Sequence, residues 1–298
     1  MAKLRELVNR RKAIRNIAKI TRTMELIATA RFRKALDRAV EAEAYTRKIG
    51  ELAADLSASA TELTHPLLAK RSEVKKTLVL VICSNRGLCG GYNAGLLRLA
   101  QAHLRETRQH NIEMQIELSG KRAIQFFRFQ GIPSANTFTQ FEDKPRYDEV
   151  EVIANRYLHD YISEKIDRVD VIYQKFQSAA KQFPVVETLL PLSSLAPEVR
   201  KPSAPGTAMQ RVPTEYEFAP EPKQILEEIL PVSFRVRLFK CFLDAAVSEQ
   251  IARRVAMKTA TDSANDLIRG LTLQYNRARQ AQITKEISEI IGGVEALK

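Results

Sequence analysis

Residues 7–57, LVNRRKAIRNIAKITRTMELIATARFRKALDRAVEAEAYTRKIGELAADLS, contain no proline and a single glycine, Gly50. Helix formers dominate. At seven-residue steps from Leu7 come Ile14, Thr21, Ala28, Ala35, Ala42, Ile49 and Leu56, seven of the eight being apolar. A repeat of seven keeps one stripe of an α-helix turned toward one partner. Ile17, Met24 and Leu52 are expected to form the companion seam, interrupted by Arg10, Arg31 and Arg38. The run from Ala2 to about Ser57 reads as one helix of about 56 residues, about 84 Å at 1.5 Å per residue. An unbroken helix of that length suggests a coiled coil rather than a globular core.

The other end of the chain has the same character. After Pro231 there is no proline, and Gly270 is the only glycine before Gly292. Met257, Ala260, Ala264, Leu267, Leu271, Gln274, Ala278 and Ala281 follow a spacing of three and four with one polar interruption. A regular helix of about 60 residues, about 90 Å, is expected there. Two such helices at opposite chain ends pair most simply antiparallel. The alanines on both seams let the axes approach closely. Each buried Leu, Ile or Met on the seam stabilises the pair by about 1.5–3 kcal/mol. Neither helix would hold as a lone rod on propensity alone.

Between them the period changes. Thr77–Cys83, TLVLVIC, is a β-branched apolar run that reads as a buried strand. Helices are expected over Asn93–Gln109, Lys121–Phe129 and Tyr147–Ser163, and strands over Ile112–Leu118, Val169–Phe176 and Val185–Leu192. Alternating strands and helices indicate an α/β sandwich with a mainly parallel sheet. Residues 197–222 hold six prolines and little periodicity, so they read as a returning loop. The expected division is a helix over residues 1–65, an α/β domain over 75–220 and a second helix over 222–298.

The 298 residues are 45% hydrophobic and 28% charged, which excludes a disordered chain, a collagen-like repeat and a disulfide scaffold. The longest clean apolar run, Leu78–Cys83, is far short of the roughly 20 residues that span a bilayer. The first residues are basic and lack an apolar signal core, so the chain is expected on the cytoplasmic side. The formal net charge of +12 is unevenly placed. Residues 1–34 hold eleven Lys and Arg against Glu6 and Glu25, and residues 232–298 hold eleven basic against seven acidic. The middle is close to neutral. A concentrated positive field seeks an acidic partner: a phosphate backbone, anionic lipid or an acidic protein surface.

Chemistry-bearing motifs are thin. Three cysteines, Cys83, Cys89 and Cys241, cannot all pair within one chain; Cys83 and Cys89 are either two reduced thiols or a redox pair. His65, His103, His110 and His159 lie scattered, without metal-ligand spacing. Ser84–Asn93, SNRGLCGGYN, follows a strand and precedes a helix, where backbone amides can hold an anion. It matches neither the P-loop nor the dinucleotide fingerprint, so it reads as a glycine-rich turn or a phosphate cradle. Ser119-Gly120-Lys121 lacks the setting of a nucleophile elbow. Glu142, Asp143, Asp148, Glu149 and Glu151 are a solvated helix start or a carboxylate metal site. Thr261-Asp262-Ser263-Ala264-Asn265, inside the second long helix, is either a wet face or a contact strip for a partner.

Four stretches in order along the chain carry a family resemblance. They are Ile20–Ala35 (ITRTMELIATARFRKA), Ser84–Asn93, Ser248–Ala264 (SEQIARRVAMKTATDSA) and Tyr275–Gly293 (YNRARQAQITKEISEIIGG). Together they resemble the gamma subunits of rotary ATP synthases. The resemblance implies a long antiparallel coiled coil of the N- and C-terminal helices with an inserted α/β (Rossmann-like) domain. It implies the central rotor shaft of a membrane ATP synthase, which couples transmembrane ion flow to ATP synthesis or hydrolysis by rotation. It further implies that the chain has no catalytic site, binds no cofactor or metal, and lies peripherally on the cytoplasmic face of a bacterial inner membrane. The implied partners are three alpha and three beta subunits, the epsilon subunit and the membrane rotor ring.

By the same resemblance, Arg279 and Gln280 match positions bonding to a beta-subunit loop, and Thr284 lies on the next turn. Arg22 and Met24 match the N-terminal helix facing the rotor–stator interface. Ile287, Ile290, Ile291 and Val294 would sit in an apolar sleeve, and Tyr216 and Glu217 would meet the membrane ring. Arg254 stands where the family usually has methionine, and Asn85 where it has aspartate. The inserted dithiol segment of photosynthetic relatives has no counterpart here. Two other readings are open from composition: a nucleic-acid-binding coiled coil tracking phosphates with its basic helix, and a nucleotide-dependent α/β enzyme. Sparse aromatics weaken the first and the missing phosphate fingerprint weakens the second.

Overall fold

A computed structural model describes residues 2–59, 65–68, 71, 73–142, 144–192 and 222–295. The elements run α1 (Ala2–Ser59), β1 (Lys76–Ile82), α2 (Tyr92–Gln109), β2 (Glu113–Ser119), α3 (Lys121–Phe129), β3 (Asn136–Phe138), α4 (Tyr147–Ile162), β4 (Arg168–Ser178), β5 (Lys181–Leu190) and α5 (Pro222–Glu295). The chain divides into two units. One holds the termini, up to Ala30 and from Ala252, with Leu88–Gly90; the other holds Arg31–Gly87 and Gly91–Ile251.

In the first unit α1 and α5 pair antiparallel. The Thr261 hydroxyl lies 2.8 Å from that of Thr21, and the Arg11 guanidinium lies 5.0 Å over the Tyr275 ring. The heptad positions from Leu7 to Ile49 are all covered or half-covered. The companion seam differs from expectation: Ile17 is 48% exposed and Leu52 47%. The covered positions are instead Arg11, Ala18 and Glu25. On α5 the covered row is Met257, Thr261, Ala264, Ile268, Leu271, Tyr275, Ala278 and Gln282, while Leu267, Gln274 and Ala281 face out. A heptad stripe can be completed three residues on or four. The choice depends on which flank the partner helix takes, which one helix's sequence does not record.

In the second unit five strands form one sheet in the order β3-β2-β1-β4-β5. β1 pairs parallel with β2 and β4, β2 parallel with β3, and β4 antiparallel with β5. The mainly parallel expectation therefore stands with one antiparallel strand at the edge. β1 is buried on both faces, as its continuous apolar run requires. Leu78, Leu80 and Ile82 face a core built with Val150, Ala154, Tyr157 and Tyr161 of α4 and Leu230, Phe234, Leu238 and Phe242 of α5. Alternation turns Val79 and Val81 to the opposite face. Phe32, Ala35 and Ala39 of α1 pack with Leu243, Val247 and Ile251 of α5.

Three details refine the sequence reading. α5 begins before Pro231, which lies inside it. Leu226, Leu230, Phe234 and Leu238, four residues apart and buried, hold that face in the core and offset the roughly 3 kcal/mol an internal proline costs. β3 has only three residues, too few to show a period. The β4–β5 hairpin is longer than expected. β4 pairs with β1 only over Arg168–Ile172, and its remainder pairs with β5 alone, through Pro184 opposite Gln174.

Two carboxylates lie fully inside this unit. Glu117 receives Arg156 at 2.7 Å and the Tyr157 hydroxyl at 2.7 Å. Asp170 meets His103 at 3.0 Å, Arg168 at 2.9 Å and the Thr188 hydroxyl at 2.7 Å. Burial of a charge is tolerated where its oxygens are filled in this way.

Candidate partner-binding surface

The glycine-rich turn after β1 is filled by its own side chains. Asn93 Oδ1 accepts from the Ser84 N–H at 3.1 Å. Asn85 Oδ1 accepts from the Lys121 N–H at 3.0 Å, and Asn85 Nδ2 donates to the Thr139 and Phe141 carbonyls at 2.9 and 3.3 Å. The Ser84 carbonyl accepts from Arg122 N–H at 3.2 Å. The first amides of α3 are thus spent on this loop rather than held open for an anion. Asn85 uses both ends of its amide, whereas an aspartate could only accept.

The acidic stretch is likewise divided among neighbours. Asp148 pairs with Arg146, Glu142 with Arg86 at 3.3 Å and Glu151 with Arg235 at 3.6 Å; Asp143 lies outside the described residues. No group of three potential metal ligands occurs among the described residues. All three cysteines are buried, and none forms a disulfide.

The candidate contact residues on α5 are exposed. Ile287 is 52% exposed, Ile290 66%, Ile291 58% and Val294 57%, and Ile283, which the sequence reading passed over, is 45%. At about 100° per residue these five fall within an arc of about 100°, and Arg279, Gln280 and Thr284 extend it to about 140°. All three polar residues are exposed. The centre of this face lies about 130° round the helix from the row Leu271, Tyr275, Ala278 and Gln282 that meets α1. The tip is therefore not a continuation of the coiled-coil seam. On the seam side the last turns become polar, with Lys285–Glu289 at 3.5 Å and Gln282 donating to Glu286 at 2.8 Å.

On α1, Arg22 pairs with Glu25 at 2.8 Å and keeps 59% of its side chain in solvent; Met24 is half-buried. Arg22 lines an open groove with Arg15, Ala18, Lys19 and Thr23, facing Thr261, Asp262, Asn265 and Ile268 of α5. Arg15 and Lys19 were not singled out in the sequence, although their four-residue spacing to one another puts them on one face. The strip 261–265 is split by this geometry: Thr261 and Ala264 join the seam, and Asp262 and Asn265 line the groove. Tyr216 and Glu217, with the whole 197–221 stretch, lie outside the described residues. No helix among the described residues is long and apolar enough to cross a membrane.

Comparison with known proteins agrees along the whole chain. A family model described as ATP synthase matches residues 3–297. The chain is 55% identical over 298 residues to the ATP synthase gamma chain of Rhodopirellula baltica, covering all of both. It is 39% identical over 297 residues to that of Leptospira biflexa, again covering all of both. Its fold is similar to a chain in the Euglena gracilis mitochondrial ATP synthase OSCP/F1/c-ring assembly, with TM-score 0.66 and 18% identity over 99% of this chain and 95% of that one. A chain of the Tetrahymena thermophila mitochondrial ATP synthase central stalk/c-ring matches with TM-score 0.56 and 18% identity over 81% of this chain and 99% of that one. The chain belongs to the ATP synthase gamma chain family.

Proposed function

We propose that the chain is the central rotor shaft of a membrane ATP synthase and couples ion flow to ATP synthesis or hydrolysis by turning inside an alpha–beta hexamer. The observation that carries this reading is the exposed face at the end of α5. Five aliphatic side chains there stand about half or more in solvent and point away from the coiled-coil partner. A greasy helix end of this kind suits an apolar sleeve in which it can turn without specific bonds. Arg279 and Gln280, one turn before Ile283, and Thr284 beside it on the same face supply the polar catch: a guanidinium, an amide and a hydroxyl for a partner loop. Arg22 and Met24, beside the basic groove, face the same ring of alpha and beta subunits.

The α/β part, residues 75–220, is the base that meets the epsilon subunit and the membrane rotor ring, with Tyr216 and Glu217 at the ring contact; residues 1–65 and 222–298 are the shaft. The chain contributes no catalytic residue and takes no cofactor. It works peripherally at the cytoplasmic face of the membrane. Native mass spectrometry of the tagged chain, released gently with its membrane complex, tests the reading. One copy with three copies each of two large nucleotide-binding subunits is the expected result. A free chain, or one carrying nucleic acid, overturns it.

A further inference from the structure

Within the second unit, α5 crosses the β4–β5 hairpin over a mixed cluster of charges. α5 supplies Arg237, Lys240, Cys241 and Asp244; α1 supplies Glu43; β4 supplies Tyr173 and Lys175; β5 supplies Glu187. Most of these groups are matched. Glu187 receives the Tyr173 hydroxyl at 2.6 Å and Arg237 at 3.3 Å, with Lys175 at 3.8 Å. Lys240 stands 4.0 Å from Glu43.

Asp244 is the member left over. It is 4% exposed, and among the described residues its carboxyl makes no hydrogen bond or ion pair. The cations in reach of its field, Lys240 one turn back and Lys175 on β4, already serve Glu43 and Glu187. One turn further along α5, the Ser248 hydroxyl donates to the Gln174 carbonyl of β4 at 3.2 Å. Phe32 of α1 meets Phe176 of β4 edge-on, with centroids 6.3 Å apart. The carboxyl therefore sits inside the joint that fastens both long helices to the hairpin.

We propose that Asp244 is a proton-sensitive latch of this joint: protonated, it lies neutral under α5; ionised, it must draw Lys240 or Lys175 from its present partner or admit water, and the joint loosens. Burial pushes the Asp244 carboxyl up to about 7; Lys240 and Lys175 draw it down, and Glu43 and Glu187 push it further up. An acid held above its ordinary 3.8 binds its proton more tightly in the folded chain than in the unfolded one. Stability at the joint is then full at low pH. It falls as pH rises toward about 7, by at most about tenfold in equilibrium constant per pH unit, and is level above.

Amide exchange of the full chain, corrected for its intrinsic pH dependence, tests this from about pH 5 to 9 on β4, β5 and residues 237–251. Exchange at the joint relative to β1 is expected to rise severalfold between about pH 5 and 7 and to level off above. Asp244→Asn removes the rise. Glu43→Gln, at a solvent-facing site of α1, moves it to lower pH by removing a negative neighbour and freeing Lys240. A flat wild-type profile, or a rise that persists in Asp244→Asn, overturns the latch. Should Asp244→Asn fail to fold, a midpoint unmoved by Glu43→Gln does so.

Discussion

Gly120 has no room for a side chain. Its φ is 96°, and a Cβ there would stand 2.1 Å from the Cys83 carbonyl oxygen. The close approach lets β1 and β2 end together, with Cys83 N–H donating to Ser119 O at 2.8 Å and Gly120 N–H to Phe138 O at 2.9 Å. Gly120→Ala is expected to destabilise the α/β unit by about 3 kcal/mol or more, because backbone rather than a flexible side chain must yield. Urea unfolding of the full chain checks it. Arg279 and Gln280 are the opposite case, exposed and touching nothing that fixes the fold. Arg279→Ala with Gln280→Ala should leave the melting temperature of the chain unchanged and lower ATPase turnover of the assembled complex severalfold. Unchanged turnover would remove the catch from these residues. Neither fact about Gly120 nor the burial of Glu117 was legible locally. Glu117 sits in a run that alternates like a half-exposed strand. Only Arg156 and Tyr157, about forty positions away, explain its place in the core.

At the scale of elements the sequence was most readable where a period ran longest. The heptad row marks the covered face of α1 from Leu7 to Ile49, and the boundaries of α2, α3 and α4 fall within a residue of expectation. The second seam on each long helix was misread, because period alone does not tell on which flank the neighbour lies. β3 and the extended hairpin were missed or shortened for a different reason: both exist through pairing with other strands rather than through local pattern. The contact face of α5 was legible by resemblance for Ile287, Ile290, Ile291 and Val294, yet its direction needed the position of α1. One consequence can be measured. Removing residues 287–298 takes away side chains that, where described, lie in solvent, so the melting temperature of the isolated chain should stay within about 2 °C. Retention in the assembled complex should fall. A large loss of thermal stability would mean that the tip is bound within the chain after all.

For the molecule as a whole, the two units differ in what holds them. The second has a two-faced sheet core; the first has a single narrow seam in which Thr21, Glu25 and Thr261 share the covered row with alanines. Amide protection should follow this difference: slowest in β1 and the adjoining part of β4, intermediate along the helix pair, and fastest beyond Gln282. Uniform protection along α5 would contradict it. The net charge of +12 likewise belongs mainly to the unit with the thinner core, where mutual repulsion opposes pairing and an acidic surround would relieve it. The sheet's two outer strands bear on a further matter. A chain made singly for an assembly has to wait in a crowded cell without recruiting its own siblings. An open strand edge is the usual template for such recruitment. β3 offers three residues, too short to nucleate a ladder, and β5 carries Pro184, whose missing N–H and rigid ring interrupt an incoming strand. The irregular register at both ends of the β4–β5 pairing bends that border further from the flatness that stacking requires. The same residues that close the sheet therefore keep the unassembled subunit from aggregating through its edges.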